Sequence, residues 1–186
     1  MNNKKIKFIA EISIFSAIII ILQLVATFIN FGSFPITLTL IPIIVGACVY
    51  GPFIGMFLGL VFGIIVDIMV ITGADINGAA MFSARPIVTI VMCLLKGMMA
   101  GLFSGLAYKY IKIENRKIKT IISSAICPIV NTLIFSIALI LFFDNSFKIL
   151  IGAFLSINFV IELLINILLA PGLTNLIEHS KNRIHE

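Results

Sequence analysis

Apolar residues run through this chain in long blocks, broken by short polar stretches, without the strict alternation of strands or the narrow stripes of surface helices. A helix that crosses the hydrocarbon of a bilayer needs about 20 apolar residues. Six stretches qualify, at about 8–29, 36–50, 52–72, 86–107, 120–143 and 148–170. The second is short and meets the third through Tyr50-Gly51-Pro52 alone. Glycine at a turn and proline at a first helical position suit a tight reversal there. Arg85-Pro86 opens the fourth, because proline turns its predecessor away from helix. Pro171 ends or kinks the sixth and leaves a short amphipathic tail to His185. The pattern predicts an all-α polytopic membrane protein, a single domain over residues 1–186 with six transmembrane helices.

Two glycine ladders lie inside these blocks. Gly51, Gly55, Gly59 and Gly63 repeat every fourth residue, and so do Gly97, Gly101 and Gly105. Inside a helix in water each glycine costs about 1 kcal/mol relative to alanine. In lipid the same spacing gives a smooth stripe along which helices approach closely.

Composition agrees. Of the 186 residues 61% are hydrophobic and 11% charged, with a mean hydropathy of +1.22. Soluble domains sit near about 45–50% apolar and about 25% charged. The first block is too long for a signal-peptide core, and no small-residue cleavage site follows it, so it is read as a retained span. Cys48, Cys93 and Cys127 all fall in apolar blocks and read as buried thiols.

The net charge of +5 is explained by where the cations stand. Lys4, Lys5 and Lys7 precede the first span, Lys109, Lys112, Arg116, Lys117 and Lys119 separate the fourth and fifth, and Lys181 and Arg183 follow the sixth. With six crossings, 10 of the 13 basic residues share one side. The positive-inside rule puts that side, and both termini, in the cytoplasm. The same run of cations beside a membrane needs no nucleic acid to account for it.

Polar groups within the spans are expensive and are therefore candidate functional residues. Lys96 stands near the middle of the fourth span, Asn131 of the fifth, and Asn158 and Glu162 of the sixth. Asn158, Glu162 and Asn166, at i, i+4 and i+8, share a helical face. Together they can line a cavity for a polar small molecule. Alternatively Lys96 and Glu162 form a structural ion pair and the asparagines join helices. Asp67, nearer the outer end of the third span, is either a ligand contact or a partner for Arg85. The outer segment Thr72–Gly78 is rich in turn formers and serves as a lid or a simple reversal. Phe31, Phe34, Phe142, Phe143 and Phe147 pack on a ligand or sit at the interface, and Glu11 and Gln23 lie within reach of water near the ends of the first span.

Both histidines, His179 and His185, are in the terminal tail, so no serine–histidine dyad or H-E-x-x-H metal site falls within the spans. No P-loop is present, and no paired broken helices of the secondary-transporter kind are evident. These features speak against an enzyme, and no cofactor or metal is called for.

The stretch from Ile36 to Ala47, ITLTLIPIIVGA, with Tyr50 to Gly63, YGPFIGMFLGLVFG, resembles the second and third helices of the substrate-binding S components of energy-coupling factor (ECF) vitamin transporters. It is closest to the broad group that includes riboflavin, pantothenate and cobalamin proteins. Leu94 to Gly101, LLKGMMAG, looks like that group's fourth helix. The resemblance implies a multi-pass subunit of a bacterial cell membrane that works with a coupling transmembrane subunit and two cytoplasmic ATPases. The family's small-xxx-small docking motif in its first helix falls here on Ser13 and Ala17, and helices one to three would face the coupling subunit, with Gly51, Gly55 and Gly59 at the interface. The vitamin would sit toward the outer side among helices four to six, where Lys96, Asn131, Asn158 and Glu162 already gather, with Arg85 and Asp67 nearby. The uncharged Ile36–Leu40 stretch stands where riboflavin proteins carry an acidic pattern, whereas Lys96 or Arg85 can neutralise the carboxylate of pantothenate. The alternative is a self-sufficient transporter or channel-like protein, with a ligand-free structural protein as a third reading.

Overall fold

The computed structural model describes the backbone of residues 3–28, 38–143 and 157–185, and the side chains of residues 5–26, 38–143 and 159–180. Among them the regular elements are seven helices: α1 (Asn3–Phe28), α2 (Leu40–Tyr50), α3 (Pro52–Thr72), α4 (Ile76–Ala84), α5 (Pro86–Tyr110), α6 (Arg116–Phe142) and α7 (Ile157–His185). Five of these (α1, α3, α5, α6 and α7) are long and apolar enough to cross a membrane. Large apolar side chains cover the outside, among them Phe53, Ile87, Leu141 and Leu168, each at least two-thirds exposed. A water-soluble monomer rarely shows apolar patches of such extent. The molecule is an all-α polytopic membrane protein.

The glycine ladders face each other. Helices α3 and α5 run antiparallel, and a Cβ on Gly55 would come within 2.5 Å of the Gly101 carbonyl oxygen. Cβ atoms on Gly59 and Gly97 would each collide with the other's carbonyl group, one on Gly63 would lie 2.9 Å from the Cys93 carbonyl oxygen, and one on Gly105 would lie 2.6 Å from Pro52 Cα. The two backbones therefore touch along most of both helices, a closeness open only to residues without side chains.

Helix α2 is the hub. Its 11 residues span about 16 Å, roughly half the hydrocarbon thickness. Nearly all are buried, and α2 packs on α1, α3, α5, α6 and α7. It begins at Leu40, after a turn at residues 38–39, and not at residue 36 as the apolar run implies; residues 36 and 37 lie outside the described ones. Gly51 makes the reversal into α3 at φ 101° and ψ 173°, a combination restricted in practice to glycine.

Two expectations about the chain's course are corrected. The segment after Thr72 is not a loop throughout. Asp75 accepts a hydrogen bond from Gly78 N at 3.1 Å and caps the short helix α4, which continues to Ala84. The last helix also differs, since Pro171 neither ends it nor leaves a separate tail. Helix α7 runs through the proline to His185, and its described apolar span continues to Ser180. Within the membrane a proline removes one donor without ending the helix, provided neighbours take up the freed groups.

One end of the bundle gathers the cations. The amino-terminal end of α1, the α2–α3 turn, the α5–α6 connection and the far end of α7 meet there. Tyr50 donates to Glu11 at 2.7 Å, and Arg116 pairs with Glu178 at 3.2 Å. That ion pair is largely exposed and contributes little to stability. Deeper in, Ser104 and Ser123 clasp α5 to α6. The Ser123 hydroxyl donates to the Ser104 carbonyl at 2.7 Å, and Cys48 Sγ of α2 lies 3.3 Å from the same hydroxyl. At the opposite end Thr39 donates to Gln23 at 2.8 Å, and both side chains are buried. Gln23 is thus a tie between α1 and the entry to α2, and is not in contact with water as its position near a span end suggests.

Candidate functional site

Polar side chains stand at several depths within α3, α5, α6 and α7, among them Asp67, Lys96, Asn131, Glu162 and Asn166. On α5, Thr89, Cys93 and Lys96 follow at i, i+4 and i+7 and so lie on one face. Asp67 on α3 is within hydrogen-bonding reach of the Cys93 thiol, and Lys96 bears on it electrostatically. The Lys96 ammonium also lies over the Phe135 ring of α6, 5.0 Å from its centroid. One turn back along α6 stands Asn131, and one turn further Cys127, which feels the charge of Glu162 on α7. Asn166, one turn on from Glu162, donates to the Glu162 carbonyl oxygen at 2.7 Å. The Lys96 ammonium over Phe135 thus joins α5 to α6.

Several of these side chains are buried and incompletely satisfied. Asp67 is 7% exposed, Asn131 9% and Asn166 1%. The Oδ1 atom of each has no hydrogen-bond partner among the described residues, and the same holds for the Ser124 hydroxyl. A buried polar atom without a partner costs about 1–3 kcal/mol, so natural structures keep few of them.

Of the six residues expected to contact a ligand, Lys96, Asn131, Glu162 and Asp67 lie inside the membrane-spanning helices, with Asp67, Asn131 and Glu162 buried. Asn158 is in the first turn of α7, with its side chain outside the described ones. Arg85 stands exposed at the junction of α4 and α5, apart from Asp67, whose described neighbours are Cys93 and Lys96. The ammonium of Lys96 lies over the Phe135 ring, within the electrostatic reach of Asp67. Glu162 lies in the described part of α7, five residues after Ile157, and residues 144–156 before it are outside the described ones. Phe31, Phe34 and Phe147 are outside the described residues, while Phe142 is exposed at the end of α6. The part played by Cys93 was hidden by its apolar surroundings. Its only signal is the spacing with Thr89 and Lys96.

The residues expected at a partner's surface divide. Ser13 and Ala17 are exposed on α1, in a continuous stripe with Ile14, Ile18, Ile21, Leu24 and Val25. The opposite face, with Ile19, Gln23 and Ala26, is buried against the bundle. Gly55 and Gly59 are not on an outer face. They are buried against Gly101 and Gly97 of the same chain, which already occupies the stripe they form. Gly51 is committed to the α2–α3 turn.

A family model described as ECF transporter, substrate-specific component matches residues 7–177, from the first turns of α1 to well within α7. No curated protein matches the chain.

Proposed function

The chain belongs to the substrate-specific components of ECF transporters, and from that membership we propose that it captures a water-soluble vitamin outside a bacterial cell membrane. A coupling transmembrane subunit and two cytoplasmic ATPases would complete the importer, and all ATP hydrolysis would be theirs. The observation that carries the capture reading is the set of intramembrane polar side chains Asp67, Lys96, Asn131, Glu162 and Asn166, three of them with a buried oxygen that has no hydrogen-bond partner among the described residues. Polar groups purely for joining helices are found bonded to each other, as Ser104 and Ser123 are. The cations gathered at one end support cytoplasmic termini, so that Asp67 and Lys96 lie toward the outside. The exposed small-residue stripe at Ser13 and Ala17 supports α1 as the face for the coupling subunit. Reorientation of the whole bundle against that subunit would then expose the ligand to the cytoplasm.

Liposome reconstitution separates this reading from self-sufficient transport. The chain alone is expected to bind its vitamin and move none, and uptake is expected only with the coupling subunit, the ATPases and ATP. Ala17→Phe should leave binding intact and abolish that uptake, since a ring on the stripe holds a partner helix away. Uptake by the single chain, or full uptake by the Ala17→Phe variant, would contradict respectively the division of labour and the α1 docking face.

A further inference from the structure

The cationic end of the bundle carries more charge than its own side chains can balance. Ten basic residues, from Lys4 to Arg183, stand in the stretches that meet there. The same stretches hold four acidic residues, Glu11, Glu114, Glu178 and, in sequence, Glu186. Were all four paired, six cations would still have no counter-charge within the chain. Two of the four are already engaged, Glu11 by the Tyr50 hydroxyl and Glu178 by Arg116.

The excess is densest where α5 passes into α6. Lys109, Lys112, Arg116, Lys117 and Lys119 fall within 11 residues, with Glu114 the one acid among them. Lys119, in the first turn of α6, lies over the ring of Tyr108, in the last turn of α5, 5.2 Å from its centroid. Lys109 lies over the Tyr110 ring at 5.4 Å. Cation–π contact holds both ammonium groups at the helix ends. Lys109, Lys112 and Lys117 are exposed, and among the described residues none of the four lysines has an ion-pair partner.

The positive-inside rule accounts for the side on which these cations lie, since orientation follows their number. It does not balance their mutual repulsion once the chain is folded. An anion at the level of the helix ends does. Along the helices below this ledge the outward side chains are apolar. Phe103 and Tyr110, at i and i+7, are exposed on one face of α5, and Ile118 and Ile129, at i and i+11, on one face of α6. The surface therefore suits a molecule that is anionic at the helix ends and apolar along the helix sides. A phospholipid with an anionic headgroup has that form. A free phosphate or an acidic soluble protein offers the charge without the apolar part.

We propose that the α5–α6 connection binds anionic phospholipid in the leaflet at this end of the bundle. Lys109, Lys112, Lys117 and Lys119 contact the phosphate, and the exposed apolar faces of α5 and α6 meet the acyl chains. Arg116 is held by Glu178 and takes no part. This assignment does not depend on what the chain captures.

The test is native mass spectrometry of the intact chain released from vesicles of equimolar phosphatidylcholine and phosphatidylglycerol. Each cation near an anionic surface contributes about fivefold in affinity, so retained lipid should favour phosphatidylglycerol by about fivefold or more. Release in 1 M ammonium acetate should remove most of that preference, because screening acts over about 3 Å there. Replacing Lys109, Lys112, Lys117 and Lys119 together by glutamine should abolish it, replacing them together by arginine should keep it, and Arg85→Gln at the opposite end should leave it unchanged. Excess glycerophosphoglycerol, the headgroup without its acyl chains, should not displace the lipid. Equal retention of the two lipids by the wild-type chain would overturn the proposal, whatever the variants do. So would a preference that survives the glutamine variant, which would place the lipid elsewhere, or displacement by the free headgroup, which would make a soluble phosphate the partner. No lipid preference, combined with loss of ATPase assembly in the glutamine variant, would give the surface to a protein partner instead.

Discussion

Alanine at Gly59 or Gly97 will lower the unfolding temperature of the purified protein and its yield of folded material, although only a methyl group is added. The new Cβ would collide with a backbone carbonyl of the facing helix, Gly97 in one case and Gly59 in the other. A flexible side chain could move aside; a helix backbone cannot, so α3 and α5 must separate. Overpacking a well-filled core costs about 1–3 kcal/mol, and a backbone obstacle puts these sites at the upper end. Separation also loosens the neighbouring contacts Gly55–Gly101 and Gly63–Cys93, since both helices are rigid. The double variant should cost less than the sum of the two, because one outward shift makes room for both methyl groups. Gly172→Ala is the control. No atom lies within 4 Å of a Cβ there, the residue is helical, and alanine is the better helix former. Thermal unfolding in detergent, followed by intrinsic fluorescence or size-exclusion, ranks the variants. Equal melting temperatures for Gly59→Ala, Gly97→Ala and Gly172→Ala would mean that the two helices do not approach as described.

This pairing also marks where the sequence was legible and where it was not. The apolar blocks and the glycine spacing announce membrane helices and close approach, because both depend on composition along a single segment. They do not say which helices approach. The stripe of Gly55 and Gly59 serves equally well for a second protein, and only the fold reveals that Gly97 and Gly101 occupy it. The single-segment signals also mislead where tertiary context wins. Pro171 looks like a stop, yet within the bundle the helix continues through it, with Thr174 bonded back to the Ala170 carbonyl at 2.9 Å. Asp75 reads as one more turn former, but its side chain caps α4 because Ile76–Ala84 follows with no breaker before Arg85-Pro86. For the site, the rarity of polar residues at mid-span is itself the signal, which is why Lys96, Asn131 and Glu162 stand out unaided. Their partners do not. Similar depth offered Glu162 as one partner for Lys96, whereas Asp67, from a helix read mainly for its glycines, is an acid on which Lys96 bears electrostatically. Cys93 and Gln23 were masked by apolar neighbours, and their bonds join segments distant in sequence.

Asn131→Leu is expected to move stability and binding in opposite directions. Leucine has the branched outline and heavy-atom count of asparagine with bulkier ends, so the change replaces a polar end by an apolar one without opening a cavity. Asn131 Oδ1 has no partner among the described residues, and the side chain is 9% exposed. An unsatisfied buried acceptor costs about 1–3 kcal/mol, and its removal returns part of that to the ligand-free protein. The unfolding temperature without ligand should therefore hold or rise. In the liganded state the same atom accepts a donor from the vitamin, and its loss should weaken binding by about tenfold or more. A residue kept at the expense of stability for the sake of a ligand shows this opposition, as functional sites commonly do. Interhelical glue would show the reverse, with a lower unfolding temperature and no ligand affinity to lose. The two quantities come from one pair of melts, with and without the vitamin. A fall in the ligand-free melting temperature, together with an unchanged ligand-induced shift, would assign Asn131 to structure and take it out of the site. The same pair of melts applied to Asn166→Leu should also show weaker binding, with a smaller gain in stability. There the amide nitrogen's bond to the Glu162 carbonyl is lost along with the orphan oxygen, so the two structural effects partly cancel.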